Sequence, residues 1–257
     1  MVRPIQVRSR ADLERLASEL DNVYTIVFAD DDHFLAMKDG RIVKRFRTGP
    51  ASARDGLATR NPGELPSRGH VLLMYDELEP GMRLEARLLM DGVSKGERCV
   101  YATHQSTHEA ERRLAEFGLP IEEYRARKMI KVIRVEDPFR YSGGWSPAVG
   151  RIIEQIMSYG PDRIVSWRWI RNLADQRQVL ANEQVERVVS AAIKGESVDS
   201  SFARMKSFSG LLACSYLLSG TVHDSPLLGW FENHLASHDA TILAGRDRDV
   251  LLTNRSN

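Results

Sequence analysis

The sequence predicts an α/β protein in which a mostly parallel β-sheet is covered by helices on both faces. From residue 69 onward, apolar and β-branched runs of strand length alternate with amphipathic segments of helix length. Such an alternation favours parallel strands joined by right-handed crossovers. The 257 residues are enough for one large domain with a small appendage.

The large unit is predicted to contain six strands that alternate with five helices. The strands are HVLLMYD, RCVYATH, MIKVIRVED, RIVSWRWI, SGLLACSYLL and ATILAG. The helices are expected near residues 80–93, 107–117, 147–159, 183–193 and 227–235. The final run, DVLLTN, follows a polar turn at residues 246–249 and is expected to form a hairpin with ATILAG.

A smaller α+β unit is predicted over residues 1–48. Residues 12–20 carry leucine and alanine at helical spacing, and the extended runs VYTIVFA, HFLAMK and RIVKRF follow them. Asp39-Gly40 is a turn signal between the last two runs, so the three are expected to form a β-meander. Residues 49–68 are rich in Gly, Pro, Ser and Arg without an apolar period, and we interpret them as a linker to the domain at 69–257.

Charge and composition exclude several classes of protein. Lys and Arg total 36 against 35 Asp and Glu, so there is no overall electrostatic attraction to nucleic acid or to an anionic membrane. No apolar stretch reaches the roughly 18 residues that span a bilayer, and the first residues lack the apolar centre of a signal peptide. Cys99 and Cys214 both lie in apolar runs, as buried thiols do. We therefore expect a cytoplasmic protein without membrane contact.

Several short motifs carry a resemblance to a known family. KGERCVYAT forms the second strand of the βαβ pattern, and Tyr75-Asp76 follows the first. Ser166-Trp167, Cys214-Ser215-Tyr216 and His238-Asp239 come later in the chain. In order and spacing, over about residues 69–254, these motifs resemble the MEDS domain, the sensory domain of methanogens, methylotrophs and the dichloromethane-responsive regulator. This resemblance implies a prokaryotic signal-transduction protein with a three-layer fold of the RecA/KaiC type.

The phosphate-binding loop of RecA/KaiC-type ATPases is missing from this sequence. That loop requires several glycines, a lysine that reaches the terminal phosphates and a Ser or Thr that binds Mg²⁺. After the first strand the chain instead reads YDELEPG, which places three carboxylates where a triphosphate would bind. The later strand ends at residues 103–105 and 163–167 also lack the usual carboxylates. We therefore predict that the chain is not an enzyme and uses no cofactor.

The resulting prediction is a non-enzymatic sensory or regulatory protein that binds a small molecule or a signalling protein. Neither a kinase nor a helix-turn-helix module accompanies the domain, so output is expected through a homo-oligomer or a partner. Two other classes stay open. One is a KaiC-like ATPase with a noncanonical loop. The other is a nucleic-acid-associated regulator that uses the basic region from Arg41 to Arg68, although such charges also protect the edge of a sheet. The basic residues are Arg41, Lys44, Arg45, Arg47, Arg54, Arg60 and Arg68.

A ligand pocket is predicted beyond the carboxyl ends of the parallel strands, where open α/β sheets bind their ligands. The residues expected there are Tyr75, Asp76, Glu77, His104, Trp167 and Tyr216. Aromatic walls with a few polar groups are typical of small-molecule sites, and the carboxylates favour a neutral or cationic ligand or the tail of a partner protein. The alternative is that Asp76 and Glu77 cap the next helix and that the aromatic residues belong to the core.

No metal site is predicted from the sequence. His234 and His238 lie four residues apart, which on a helix would place both imidazoles on one face, but no third ligand is evident at a usable spacing. Three consecutive aspartates at residues 30–32 offer oxygen ligands for a hard cation. Such a run is more often a solvated hairpin turn.

Overall fold

The computed structural model describes residues 25–30, 33–38, 41–47, 57–60, 67–75, 78–138, 144–167, 176–196, 198, 200–217, 237–244 and 250–254. The helices predicted at residues 12–20 and 227–235 lie outside these ranges. So do Asp76, Glu77 and His234 among the residues singled out from the sequence.

A small antiparallel sheet forms near the amino terminus, as the three extended runs predict. Its strands are β1 (Thr25–Asp30), β2 (His33–Lys38) and β3 (Arg41–Arg47). They pair in the order β1-β2-β3, and both pairs are antiparallel. The β-meander is therefore confirmed.

A short strand, β4 (Leu57–Arg60), corrects the assignment of residues 49–68 to a linker. It pairs antiparallel with β11 (Val250–Asn254) and so forms an edge of the large sheet. A strand of four residues has no room for a clear alternation of apolar and polar positions, and its pairing depends on backbone hydrogen bonds to a distant partner. The sequence pattern therefore gave no sign of it.

The large sheet is mostly parallel, which confirms the predicted α/β class. Its remaining strands are β5 (Gly69–Tyr75), β6 (Cys99–Thr103), β7 (Ile130–Arg134), β8 (Arg163–Trp167), β9 (Leu211–Leu217) and β10 (Ala240–Ala244). The strand order is β4-β11-β10-β5-β9-β8-β6-β7. All neighbours from β10 to β7 are parallel, and β11 pairs antiparallel with β10 in the predicted hairpin.

Helices follow the strands as the alternation predicts. They are α1 (Leu78–Ser94), α2 (Thr107–Glu116), α3 (Ile121–Ala126), α4 (Trp145–Met157), α5 (Gln176–Ile193) and a 3₁₀ helix (Ser200–Ser207). Helix α5 begins seven residues before the predicted start at Glu183. Within the described residues, none of the helices has the length and apolar character needed to cross a bilayer.

The side chains of each strand alternate between two separate apolar layers. Along β5, Val71 and Leu73 belong to the layer under α1, α2 and α3, which we call the α1 face. Leu72 and Met74 belong to the layer under α4, α5 and the 3₁₀ helix, which we call the α5 face. Successive side chains of a strand point to opposite faces of the sheet, so neighbouring residues of one strand enter different layers.

The amino ends of the central strands are joined through backbone contacts. The Gly69 N–H donates to the Gly210 carbonyl at 2.9 Å, and the Leu211 N–H donates to the Asp162 carbonyl at 3.1 Å. A Cβ atom at Gly210 would lie 1.8 Å from the Asp162 carbonyl oxygen, so the approach requires glycine. These contacts fix β5, β8 and β9 relative to one another, and they set which of their side chains meet on the α5 face.

Candidate functional site

Tyr75, the last residue of β5, lies on the α1 face beneath the first turn of α1. Its hydroxyl donates to Glu85 Oε1 at 3.0 Å, and the Tyr101 hydroxyl donates to Glu85 Oε2 at 2.7 Å. A Cβ atom at Gly81 would lie 2.4 Å from two atoms of the Tyr75 ring. The space beneath the start of α1 is therefore filled by an aromatic ring and a buried carboxylate.

His104 and Trp167 lie after or at the end of strands, as predicted. His104 is half-buried, and its Nδ1 donates to the Val135 carbonyl at 3.1 Å. Trp167 is the last residue of β8, where its backbone pairs with Ser215, and its side chain lies outside the described part of the chain. The membership of Asp76, Glu77 and Trp167 in a pocket stays a prediction.

Tyr216 is separated from Tyr75 by the sheet. In the register of β5 with β9, Tyr216 pairs with Met74, and Tyr75 pairs with Leu217. Tyr216 therefore shares the α5 face with Met74, whereas Tyr75 lies in the opposite layer. The two tyrosines cannot wall one pocket together, because adjacent positions of paired strands alternate between faces.

The α5 face contains a group of buried polar side chains that the sequence analysis did not assemble. We call it the Glu186 cluster, and it comprises His70, Asn182, Glu186, Ser190, Cys214, Tyr216 and His238. His70 comes from β5, Cys214 and Tyr216 from β9, and His238 from the turn before β10. Their apolar surroundings make this concentration of polar groups unusual for a core.

One stripe of α5 supplies three members of the cluster. Asn182, Glu186 and Ser190 follow one another at intervals of four residues, so they lie on the same side of the helix. Val185 and Val189 lie on that side too and are buried in the apolar layer. These three polar side chains therefore lie on the apolar side of α5, and they face the sheet rather than solvent.

His70 is held from both ring nitrogens. Its Nδ1 lies 2.6 Å from Ser190 Oγ, and its Nε2 lies 3.4 Å from Cys214 Sγ and 3.0 Å from Glu186 Oε2. These contacts fix the imidazole between α5 and β9 without exposing it to solvent.

His238 and Tyr216 contact the same carboxylate. His238 Nε2 lies 3.6 Å from Glu186 Oε2, and the rings of His238 and His70 have centroids 3.9 Å apart. The Tyr216 hydroxyl donates to Glu186 Oε1 and accepts a hydrogen bond from Asn182 Nδ2 at 2.9 Å. The Glu186 carboxylate is therefore contacted by His70, His238 and Tyr216.

Burial controls the protonation of these groups. Burial, and then the neighbouring His238, lower the pKa of His70 to about 4, so its imidazole is neutral at neutral pH. Burial by itself would raise the pKa of Glu186, but the two imidazoles beside Oε2 more than offset it and hold the pKa well below its usual value. Burial, and then the charge of Glu186, raise the pKa of Tyr216 well above its usual value. At neutral pH the cluster therefore contains a carboxylate beside a neutral imidazole and a neutral phenol.

A cavity of about 30 Å³ adjoins the cluster on the α5 face. Since one water needs about 10–15 Å³ of such space, the cavity accommodates about two waters or a molecule of a few heavy atoms. It lies between α4, α5 and the sheet, and its walls are mainly aliphatic. The lining residues are Val149, Ile152, Ile153, Ile156, Ile164, Ser166, Val185, Glu186, Val189, Met205, Leu212 and Cys214.

Ser166 gives this cavity an unsatisfied polar group. Its side chain is 1% exposed, and among the described residues its Oγ has no hydrogen-bond partner. Glu186 and Cys214, which also line the cavity, belong to the cluster. The cavity is thus an apolar volume, and three of the residues that line it, Ser166, Glu186 and Cys214, have polar side chains.

The sequence analysis missed this site because its members are far apart in the chain. His238 was considered as a metal ligand only together with His234, although the structure places it beside His70 and Glu186. The sequence did contain one indication of this site. Asn182, Glu186 and Ser190 are spaced four residues apart, which places polar residues on the apolar side of a predicted helix.

We expect Tyr216→Phe to lower the free energy of unfolding by about 1–3 kcal/mol, because it removes a buried donor from Glu186 and a buried acceptor from Asn182. Urea titration followed by circular dichroism measures the difference. The control is Tyr159→Phe, a tyrosine that is 40% exposed, for which a change within about 0.5 kcal/mol is expected. Equal stability of Tyr216→Phe and the wild type would show that the cluster does not support the fold.

A comparison with protein families agrees with the sequence motifs. Residues 69–162 match the model of the MEDS family, described as the methanogen/methylotroph, DcmR sensory domain. No curated protein sequence matches the chain. Among solved structures, a KaiC-like protein from the hyperthermophilic archaeon Pyrococcus horikoshii OT3 is similar at 13% identity and a TM-score of 0.45, over 76% of this chain and 81% of that one. The fold assignment rests on the strand order of this chain itself. The segment from residue 69 to residue 162 is thus similar to MEDS sensory domains, as its motifs predicted.

Proposed function

We propose that this chain is a non-enzymatic sensory or regulatory protein that binds a small, mainly apolar and uncharged molecule in the cavity of the α5 face. One observation carries the proposal: an aliphatic cavity is lined in part by Ser166, whose buried hydroxyl has no hydrogen-bond partner among the described residues. The similarity of residues 69–162 to a sensory domain supports the same class of function.

The unpartnered hydroxyl favours a ligand with one polar atom. A buried polar group without a hydrogen bond costs about 1–3 kcal/mol, and a ligand that supplies the bond recovers that cost on binding. The aliphatic walls favour an apolar body on the same molecule, since its transfer from water is favourable. A short alcohol or a ketone has this combination.

The charge of the cavity wall argues against an anionic ligand. Glu186 lines the cavity, and its carboxylate is ionised at neutral pH. A second negative charge in the same buried volume would meet a repulsion that little solvent screens. Neutral ligands are therefore preferred, in keeping with the expectation from the sequence.

Signal output follows from the position of the cavity. It lies between α4 and α5, and the 3₁₀ helix packs against both. A ligand that fills the space changes the packing of α5 against the sheet, and the exposed side of α5 carries that change to the surface. We propose that a protein partner or a second copy of the chain reads it.

The opposite face supports a role without nucleotide hydrolysis. At the start of α1 the first turn carries Glu79, and the Tyr75 ring lies against Gly81. Residues 75–83 contain no lysine, serine or threonine and a single glycine. The groups that would bind a triphosphate and Mg²⁺ are absent from this segment.

We expect C2–C4 alcohols and ketones to shift the methyl NMR signals of cavity residues such as Ile153 in a saturable manner, whereas acetate does not. Val185→Leu, which adds a methylene to the cavity wall, should weaken this binding at least tenfold, because the space is small. The matched control is Val93→Leu, the same change at a buried site on the α1 face, which should bind like the wild type. Binding that Val185→Leu leaves unchanged, or no saturable shift with any of these probes, would refute the proposed site.

We expect no binding of Mg²⁺-ATP tighter than about 1 mM, and no phosphate release above the background without protein. The physical reason is the absence of the phosphate-binding groups together with the acidic start of α1. Isothermal titration calorimetry and a phosphate-release assay measure the two quantities. Saturable, magnesium-dependent binding in the micromolar range would favour the alternative of a KaiC-like ATPase.

A further inference from the structure

Three potential metal ligands converge in the Glu186 cluster. They are His70 Nε2, Glu186 Oε2 and Cys214 Sγ, which all lie within 4.8 Å of one another, and all three residues are buried. The separation of His70 Nε2 from Glu186 Oε2 is 3.0 Å, and that from Cys214 Sγ is 3.4 Å.

These separations are close to the edges of a tetrahedral metal site. Zinc binds nitrogen and oxygen at about 2.0–2.2 Å and sulfur at about 2.3 Å, so two ligand atoms of a tetrahedral site lie about 3.3–3.6 Å apart. The two separations from His70 Nε2 differ from these edges by a few tenths of an ångström, and the separation of Glu186 Oε2 from Cys214 Sγ is within 4.8 Å.

The hydrogen bonds around Ser190 fix the tautomer of His70. The Ser190 hydroxyl donates its only proton to the Ser237 carbonyl at 2.7 Å, so it accepts at the 2.6 Å contact with His70 Nδ1. Nδ1 therefore carries a proton, and Nε2 is the nitrogen through which this ring can bind a metal. A histidine that binds metal through one nitrogen commonly donates the other N–H to such a partner.

His70 Nε2 lies 3.0 Å from Glu186 Oε2, a buried carboxylate oxygen. Among the described residues, this oxygen has no hydrogen-bond partner. No described Lys or Arg pairs with Glu186. A buried carboxylate oxygen without a hydrogen bond is costly, and a cation bound beside it would compensate its charge.

We propose that His70 Nε2, Glu186 Oε2 and Cys214 Sγ bind a divalent transition-metal ion of the Zn²⁺ class. The mixed nitrogen, oxygen and sulfur set suits such an ion better than Mg²⁺ or Ca²⁺, which prefer oxygen ligands. On binding, the Cys214 thiol releases its proton to solvent and its thiolate coordinates the metal.

The proposed ion lies at the wall of the cavity. Glu186 and Cys214 both line that cavity, so the fourth coordination position faces it and can hold water or a polar atom of a ligand. His238, 3.6 Å from Glu186 Oε2, is a positioning residue for the carboxylate. The proposed metal site goes beyond the proposed function, since the titration with alcohols and ketones has an outcome of its own, independent of metal binding.

The experiment adds Co²⁺ to the full chain after removal of metals with a chelator. We expect one equivalent to bind, with the visible bands of tetrahedral Co²⁺ and a near-ultraviolet thiolate-to-cobalt charge-transfer band, and one equivalent of Zn²⁺ to displace it. Cys214→Ser should abolish the charge-transfer band. The matched control, Cys99→Ser, should retain it, because Cys99 is the other buried thiol and lies on the α1 face.

A second variant separates ligand loss from misfolding. Glu186→Gln keeps an acceptor for Tyr216 at the same place but removes the charge, and we expect its Kd for Co²⁺ to rise at least tenfold. Circular dichroism shows whether each variant folds. If Cys214→Ser does not fold, the charge-transfer band in Cys99→Ser still assigns the thiolate to Cys214. Substoichiometric binding by the wild type, a spectrum without the charge-transfer band, or binding that Cys214→Ser leaves intact would overturn the proposal.

Discussion

The α5 face depends on the burial of one carboxylate, that of Glu186. A charge in an apolar layer is costly unless other groups compensate it, and here the compensation comes from two strands and the turn before β10. His70 from β5, Tyr216 from β9 and His238 from before β10 all reach this carboxylate. Their meeting requires that β5 lie beside β9 and β10 in the sheet, which is the observed strand order. The fold and the candidate site are thus consequences of the same arrangement.

The two faces of the sheet differ in how completely their buried polar side chains are hydrogen-bonded. On the α1 face, Tyr75, Glu85 and Tyr101 fill the space beneath the start of the first helix with hydrogen-bonded side chains. On the α5 face, the cavity and the Glu186 cluster leave a hydroxyl and a carboxylate oxygen unsatisfied in the part of the chain that the structure describes. The cavity therefore lies on the face of the sheet opposite to α1.

The sequence predicted the parts of this fold that depend on local pattern. The strands around Val71 and Tyr101 and the helices that follow them have clear periodicity, and the structure confirms them. Strand β4 was missed because its pairing partner, β11, is at the other end of the chain. The separation of Tyr75 from Tyr216 depends on the register of β5 with β9, which no single strand reveals. For the same reason Glu186 and His238 were not recognised as neighbours of His70, since their contacts arise only when α5 packs on the sheet.

The central claim is that the Glu186 cluster is organised around a cation at the wall of the cavity. A crystal structure of the chain grown with one equivalent of Zn²⁺, with anomalous data collected at the zinc edge, tests it most directly. The account predicts one strong anomalous peak about 2.0–2.3 Å from His70 Nε2, Glu186 Oε2 and Cys214 Sγ. An anomalous map whose strongest peak lies elsewhere, or which has no peak beside Glu186, would contradict it.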